Sequence, residues 1–144
     1  AISIALKSND EIISGLIFDP IKNEMFYAEK NNGAFLNNHR IKVSKKNQIT
    51  DCLFATGGKT NNEPDLPYRK SGCAALDMAY VACGRYDGYF QHDLNLWDVA
   101  AGIILVKEAG GLLEEIDMAQ TKKLKIVAST PDINSKLKEK LTNF

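Results

Sequence analysis

Residues 72–84 are apolar on almost every side, contain no Pro and close at Gly84. A run of that length predicts a helix, and a helix without a polar face is buried. The glycine supplies its C-terminal stop. Such a helix needs other elements packed around it, so the fold is layered.

Residues 1–50 supply one layer. Spans 2–6, 12–18, 25–28, 34–36 and 39–43 read as short strands with alternating or β-rich apolar residues. Between them stand Ser8-Asn9-Asp10, Asp19-Pro20 with Lys22-Asn23, Asn31-Asn32-Gly33, and Asn37-Asn38, all turn-forming sequences. Short strands joined in order by such turns make an antiparallel meander. From Asp51 the pattern changes. A strand over 52–56 ends at Gly57-Gly58, a polar Pro-containing loop covers 59–70, and the buried helix follows. Next come a strand over 86–91, a helix starting at Asp98 with Val99, Ile103 and Val106 on one face, and strands over 112–116 and 124–128. A last helix takes Thr130 as N-cap and Pro131 as its first residue, with Ile133, Leu137 and Leu141 facing the core. The fold class is α/β: an antiparallel meander over 1–50, then a mixed α/β domain over 51–144, in a layered sandwich. The chain opens within a strand pattern and without Met, so the sequence reads as a fragment of an incomplete fold.

Eighteen basic residues balance eighteen acidic ones, so no net field draws the chain to nucleic acid or membrane. The lysine clusters are short and separated, and read as solvated faces. Cys52, Cys73 and Cys83 form no CxxC pair, which suits a reducing cytoplasm. No apolar stretch reaches the roughly 18 residues of a membrane span, and no signal-peptide pattern is present.

Phosphate-loop, dinucleotide, zinc-protease and nucleophile-elbow motifs are all missing. His39 and His92 lie in separate segments and read as surface or strand residues. Asp98, at a strand-to-helix connection, carries two open readings. Its carboxylate caps the free N–H groups of a first turn, or it presents a rigid oxygen to a hard cation such as Mg²⁺. Trp97 beside it is expected to pack between layers. Gly72, Cys73 and Ala74 also have two readings: small residues for close helix packing, or open backbone N–H groups for a polar ligand.

Several ordered blocks share one resemblance. Trp97-Asp98-Val99-Ala100-Ala101-Gly102 followed by Glu108-Ala109-Gly110-Gly111 resembles the C-terminal signature of the inositol monophosphatase family. The segment from Ser71-Gly72-Cys73-Ala74-Ala75-Leu76-Asp77 to Gly84-Arg85-Tyr86-Asp87-Gly88 is similar to that family's G-S/T-A-A-L-D block. Gly15-Leu16-Ile17-Phe18-Asp19-Pro20 and Asn32-Gly33-Ala34-Phe35-Leu36-Asn37 match two of its strands. The resemblance implies the C-terminal half of a cytoplasmic, Mg²⁺-dependent phosphate monoester hydrolase acting on myo-inositol monophosphate or a similar small sugar phosphate. It makes Asp98 a metal ligand and catalytic residue, and Gly72, Cys73, Ala74 and Gln91 substrate-binding residues. Gln91 stands where inositol-specific members carry Glu, which keeps related bisphosphatases and nucleotide phosphatases open. The family's other metal ligands lie on an N-terminal Glu and a D-P-x-D-G-T/S motif; Asp19-Pro20 continues Ile21-Lys22-Asn23 and is a turn instead. The chain alone is therefore expected to be inactive, and its full-length parent a homodimer without a membrane or a clear nucleic-acid surface. The alternative is a regulatory, RNA-polymerase-associated binding protein.

Overall fold

The computed structural model describes residues 1–58 and 64–142. Strands β1 (Ile2–Ser8), β2 (Glu11–Asp19), β3 (Glu24–Glu29), β4 (Gly33–Leu36) and β5 (His39–Ile41) form one antiparallel sheet in sequence order. The turns between them place Asn9, Asp10, Asn23, Asn31, Asn37 and Asn38 at positive φ, the conformation that Asn and Asp tolerate best.

The second sheet has the order β7-β6-β8-β10-β9. It contains β6 (Phe54–Ala55), β7 (Tyr68–Arg69), β8 (Gly88–Leu94), β9 (Leu112–Leu113) and β10 (Leu124–Ser129). Strand β6 pairs in parallel with β7 and β8, whereas β10 runs antiparallel to β8 and β9. Helices α1 (Ala74–Ala82) and α2 (Leu96–Glu108) lie between the sheets; α3 (Asn134–Lys140) covers the far side of the second. Alternation sorts the strand side chains. Ala55, Tyr89, Ile126 and Ala128 join the core around α1 and α2, while Phe54, Phe90 and Val127 meet Ile133, Leu137 and Leu141.

Two glycines set how closely the layers approach. A Cβ on Gly15 would lie 2.7 Å from Ile104 and 2.9 Å from the Ala101 backbone, so α2 rests directly on β2. One on Gly102 would lie 2.6 Å from Met78 Cβ, where α2 crosses α1.

Opposed residues of a sheet share a face. The first sheet turns Ile17, Phe26, Ala28 and Ala34 to the helices. Its other face carries Ile2 and Ile4 opposite Phe18 and Leu16, which in turn oppose Met25 and Tyr27. No described element covers that face, and Ile2, Ile4 and Leu6 are 53%, 61% and 57% exposed.

Several boundaries differ from the sequence expectation. The helix read over 72–84 begins at Ala74, and the strand read over 86–91 runs instead from Gly88 to Leu94. It extends across a register shift opposite Leu124 and Ile126, with Asp93 at φ 55°. The loop over 59–70 contains β7; its residues 59–63 lie outside the described ones. The strand read over 112–116 narrows to β9. The last helix is split, with a 3-10 turn at Pro131–Ile133 before α3. Thr130 takes the N-cap position of that turn and Pro131 its first, as expected, but the Thr130 side chain makes no cap hydrogen bond; its hydroxyl is buried and bonds no described partner.

Candidate functional site

Strand β6 ends at Thr56-Gly57-Gly58, beside the middle of β8 and the N-terminus of α1. The connection from β8 to α2 closes the other side. Between them lies an open cavity of about 380 Å³. It brings together all five residues singled out in the sequence: Gly72, Cys73, Ala74, Gln91 and Asp98. Gly57, Gly58 and Trp97 complete much of its wall.

Asp98 does not start its helix. The helix begins at Leu96, Asn95 is the N-cap, and Asp98 is the third helical residue. Its Oδ2 reaches back to accept from the Asn95 backbone N–H at 3.0 Å and from Asn95 Nδ2 at 3.2 Å. This is the carboxylate half of a capping box. The second oxygen, Oδ1, takes no hydrogen bond from a described residue and belongs to a side chain that lines the cavity. One carboxylate thus holds the helix start through one oxygen while its side chain borders the cavity.

Trp97 corrects an expectation. Instead of packing between layers it is 59% exposed at the cavity rim, because the first turn of α2 points its second residue outward while Val99 and Ala101 take the core positions.

At the α1 terminus, Ser71 Oγ donates to Asp77 Oδ1 at 2.7 Å and accepts the Cys73 N–H at 3.2 Å. The Cys73 amide is therefore engaged, and the open donors of the first turn belong to Ala74, Ala75 and Leu76. Asp77 is wholly buried and its Oδ2 has no hydrogen-bond partner among the described residues. Burial pushes its carboxyl up to about 6, against a smaller opposing effect of the Ser71 hydroxyl.

Gln91 is half-buried, and its Oε1 accepts from the Tyr89 hydroxyl at 2.6 Å. Burial, helped by Asp77 and Asp98, holds that phenol far above its ordinary range, so it stays a donor. The amide lies on Gly57, where a Cβ would collide with it.

Sequence reading missed Tyr89, the Gly57-Gly58 floor and the Ser71–Asp77 pair. Tyr89 carried a usable signal: residues i and i+2 of a strand share a face, so it stands beside Gln91. The others depend on long-range packing. Glu108 turns out to be structural, its two oxygens accepting the Asn31 and Gly33 N–H groups at 2.9 Å each. Asp19 is likewise a turn residue, bonded to the Ile21 and Lys22 N–H groups. A second cavity of about 200 Å³ lies at the other end of α2, where Glu11 is already paired with Lys30 and Glu108 is spent on its turn.

No group of three or more His, Cys, Asp or Glu able to hold a metal occurs among the described residues. Among the described residues that line this cavity, Asp98 is the one carboxylate, and its Oδ1 is the oxygen left for a hard cation. That fits Mg²⁺, which commonly takes one or two carboxylates and fills its other positions with water and substrate phosphate.

A model of the inositol monophosphatase family matches residues 1–143. Among curated relatives, an inositol-1-monophosphatase of Rhizobium meliloti is 40% identical, over 77% of this chain and 47% of the relative. A Nus factor SuhB of Xylella fastidiosa is 41% identical over 76% and 46%. Of solved structures, the extragenic suppressor protein suhB of Bartonella henselae superposes with a TM-score of 0.86 at 38% identity, over 97% of this chain and 63% of that one. The inositol monophosphatase of Anabaena gives 0.86 at 34%, over 98% and 63%. The chain spans about half the length of these curated relatives.

Proposed function

Since the chain belongs to the inositol monophosphatase family, we propose that it forms one part of the active site of a Mg²⁺-dependent phosphate monoester hydrolase. Its substrate is a myo-inositol monophosphate or a similar small sugar phosphate. The observation that carries this reading is the division of labour at Asp98. One oxygen is fixed by Asn95, and the other is left to a cavity shared with Gln91 and the first turn of α1.

Asp98 is the residue that holds the cation. A bound Mg²⁺ supplies charge to the phosphoryl oxygens and lowers the pKa of a coordinated water. The chain's own residues do the remaining work. Asn95 fixes the Asp98 rotamer, the first-turn N–H groups of α1 offer donors to an anionic or hydroxylated ligand, and Gln91 contacts the substrate's polar groups. One carboxylate oxygen does not complete a two-metal phosphatase site, so we expect the 144-residue chain alone to release no phosphate.

The test joins this chain to the N-terminal half that its relatives possess and measures phosphate release from myo-inositol 1-phosphate with Mg²⁺. Asp98→Asn should lower turnover about a hundredfold or more while the fold persists. Near-normal turnover in that variant removes Asp98 from the site. Relatives named Nus factor SuhB favour a second reading, a regulatory binding protein. There, Asp98→Asn would leave partner binding intact, and no phosphate would be released from any ester.

A further inference from the structure

Resting on the phosphomonoesterase reading, we propose that Tyr89 locks Gln91 so that its side chain offers the cavity N–H donors only. The substrate then places an acceptor opposite it, preferentially an anionic oxygen of a carboxylate or a second phosphate.

The lock follows from the proton inventory. Tyr89 is wholly buried, and its hydroxyl donates to Gln91 Oε1 at 2.6 Å. A buried phenol that loses its acceptor is left with an unpaired donor, which the buried setting penalises. If the amide were turned over, Nε2 would face the phenol oxygen and the phenol proton would have no acceptor among the described residues. The orientation is therefore fixed by chemistry. The amide also occupies the space that a side chain at Gly57 would fill: a Cβ there would collide with Oε1, and one on Gly58 would lie 3.7 Å from Nε2.

What remains for a ligand is Nε2. It donates to no described residue, and the Gln91 side chain lines the same cavity as Asp98. A carboxylate in this place would accept protons from substrate hydroxyls; an amide held in this orientation does the reverse. A hydroxyl can turn to accept, so polyol phosphates still bind. An anionic oxygen accepts with a charge-assisted bond of roughly twice the strength. Tyr89 touches Gln91 and acts through it, which makes it a positioning residue.

The test compares two probes that differ in one group, glycerol 3-phosphate and 3-phosphoglycerate. Their affinities for the chain are measured by titration calorimetry in Mg²⁺. The wild type should prefer 3-phosphoglycerate. Tyr89→Phe should cut that preference by about tenfold, leaving glycerol 3-phosphate binding within about twofold, and Gln91→Glu should invert it. In ligand-free ¹⁵N spectra, the Gln91 side-chain amide pair should move towards free-amide positions in Tyr89→Phe. An equal loss for both probes, or an unmoved amide pair, would mean that Tyr89 only fills space and overturns the lock. Unchanged preferences with both probes bound overturn this inference alone. If the wild-type chain binds neither ester, this inference falls, while the phosphomonoesterase reading is judged by phosphate release from the joined protein.

Discussion

Replacing Asp77 by Asn removes a buried charge whose cost can be read from the structure. The carboxyl is 0% exposed, Ser71 Oγ bonds one oxygen at 2.7 Å, and the other has no partner among the described residues. Burial lifts its pKa from 3.8 to about 6. Between those values the folded chain binds more protons than the unfolded one, so stability falls as pH rises through the window. At about 1.36 kcal/mol per unit, the full loss above pH 6 amounts to about 3 kcal/mol. The amide of the Asp77→Asn variant cannot titrate, and its oxygen still accepts from Ser71. An unpaired amide hydrogen adds a cost of its own, but one independent of pH. Urea unfolding of both proteins at a series of pH values isolates the titrating part. The stability of Asp77→Asn relative to wild type should rise by about 3 kcal/mol from about pH 3 to about pH 8, with most of the change between pH 4 and 6. Parallel profiles would refute the reasoning: Asp77 would then ionise as readily in the folded chain as in the unfolded one.

Other perturbations bear on separate parts of the fold. Asp98→Asn should abolish Mn²⁺-induced line broadening of cavity residues in NMR spectra while changing stability by no more than about 1 kcal/mol, since an amide oxygen can still serve Asn95. Glu108→Ala should destabilise the chain by about 1–3 kcal/mol and raise amide exchange at Asn31 and Gly33. Gly102→Val forces a side chain onto Met78 and should cost about 1–3 kcal/mol in thermal unfolding, without altering which residues line the cavity. Burial pushes the Cys52 thiol up to about 11, so iodoacetamide at about pH 8 should leave it unlabelled until denaturant is added.

The meander was readable because each of its turns carries Asn, Asp or Gly at the positive-φ positions, a local requirement that sequence displays directly. The buried helix was readable for the same kind of reason, since only an interior helix lacks a polar face. The start of α2 was harder. Asn95, Trp97 and Asp98 are all plausible first-turn residues, and only the hydrogen bond from Asn95 N–H back to Asp98 assigns the cap. Strand β7 is two residues of an apparent loop, created by its parallel partner β6 rather than by its own pattern. At the site, the position of Gln91 could be inferred but its polarity could not. Which atom it presents is decided by Tyr89 and by the absence of a side chain at Gly57. The role of Glu108 needed a contact across more than seventy residues.

The outward face of the first sheet makes this chain's stability a function of its surroundings. Ile2, Ile4, Leu6 and Met25 are assembled on one exposed face only when the sheet is formed, so an occupant that needs that face binds the native form in preference to the unfolded one. By mass action, an occupant at a hundred times its dissociation constant adds about 2.7 kcal/mol. A melting temperature recorded for the chain in isolation therefore sets a lower bound, and any dependence of that temperature on protein concentration measures how well a second copy serves as the cover.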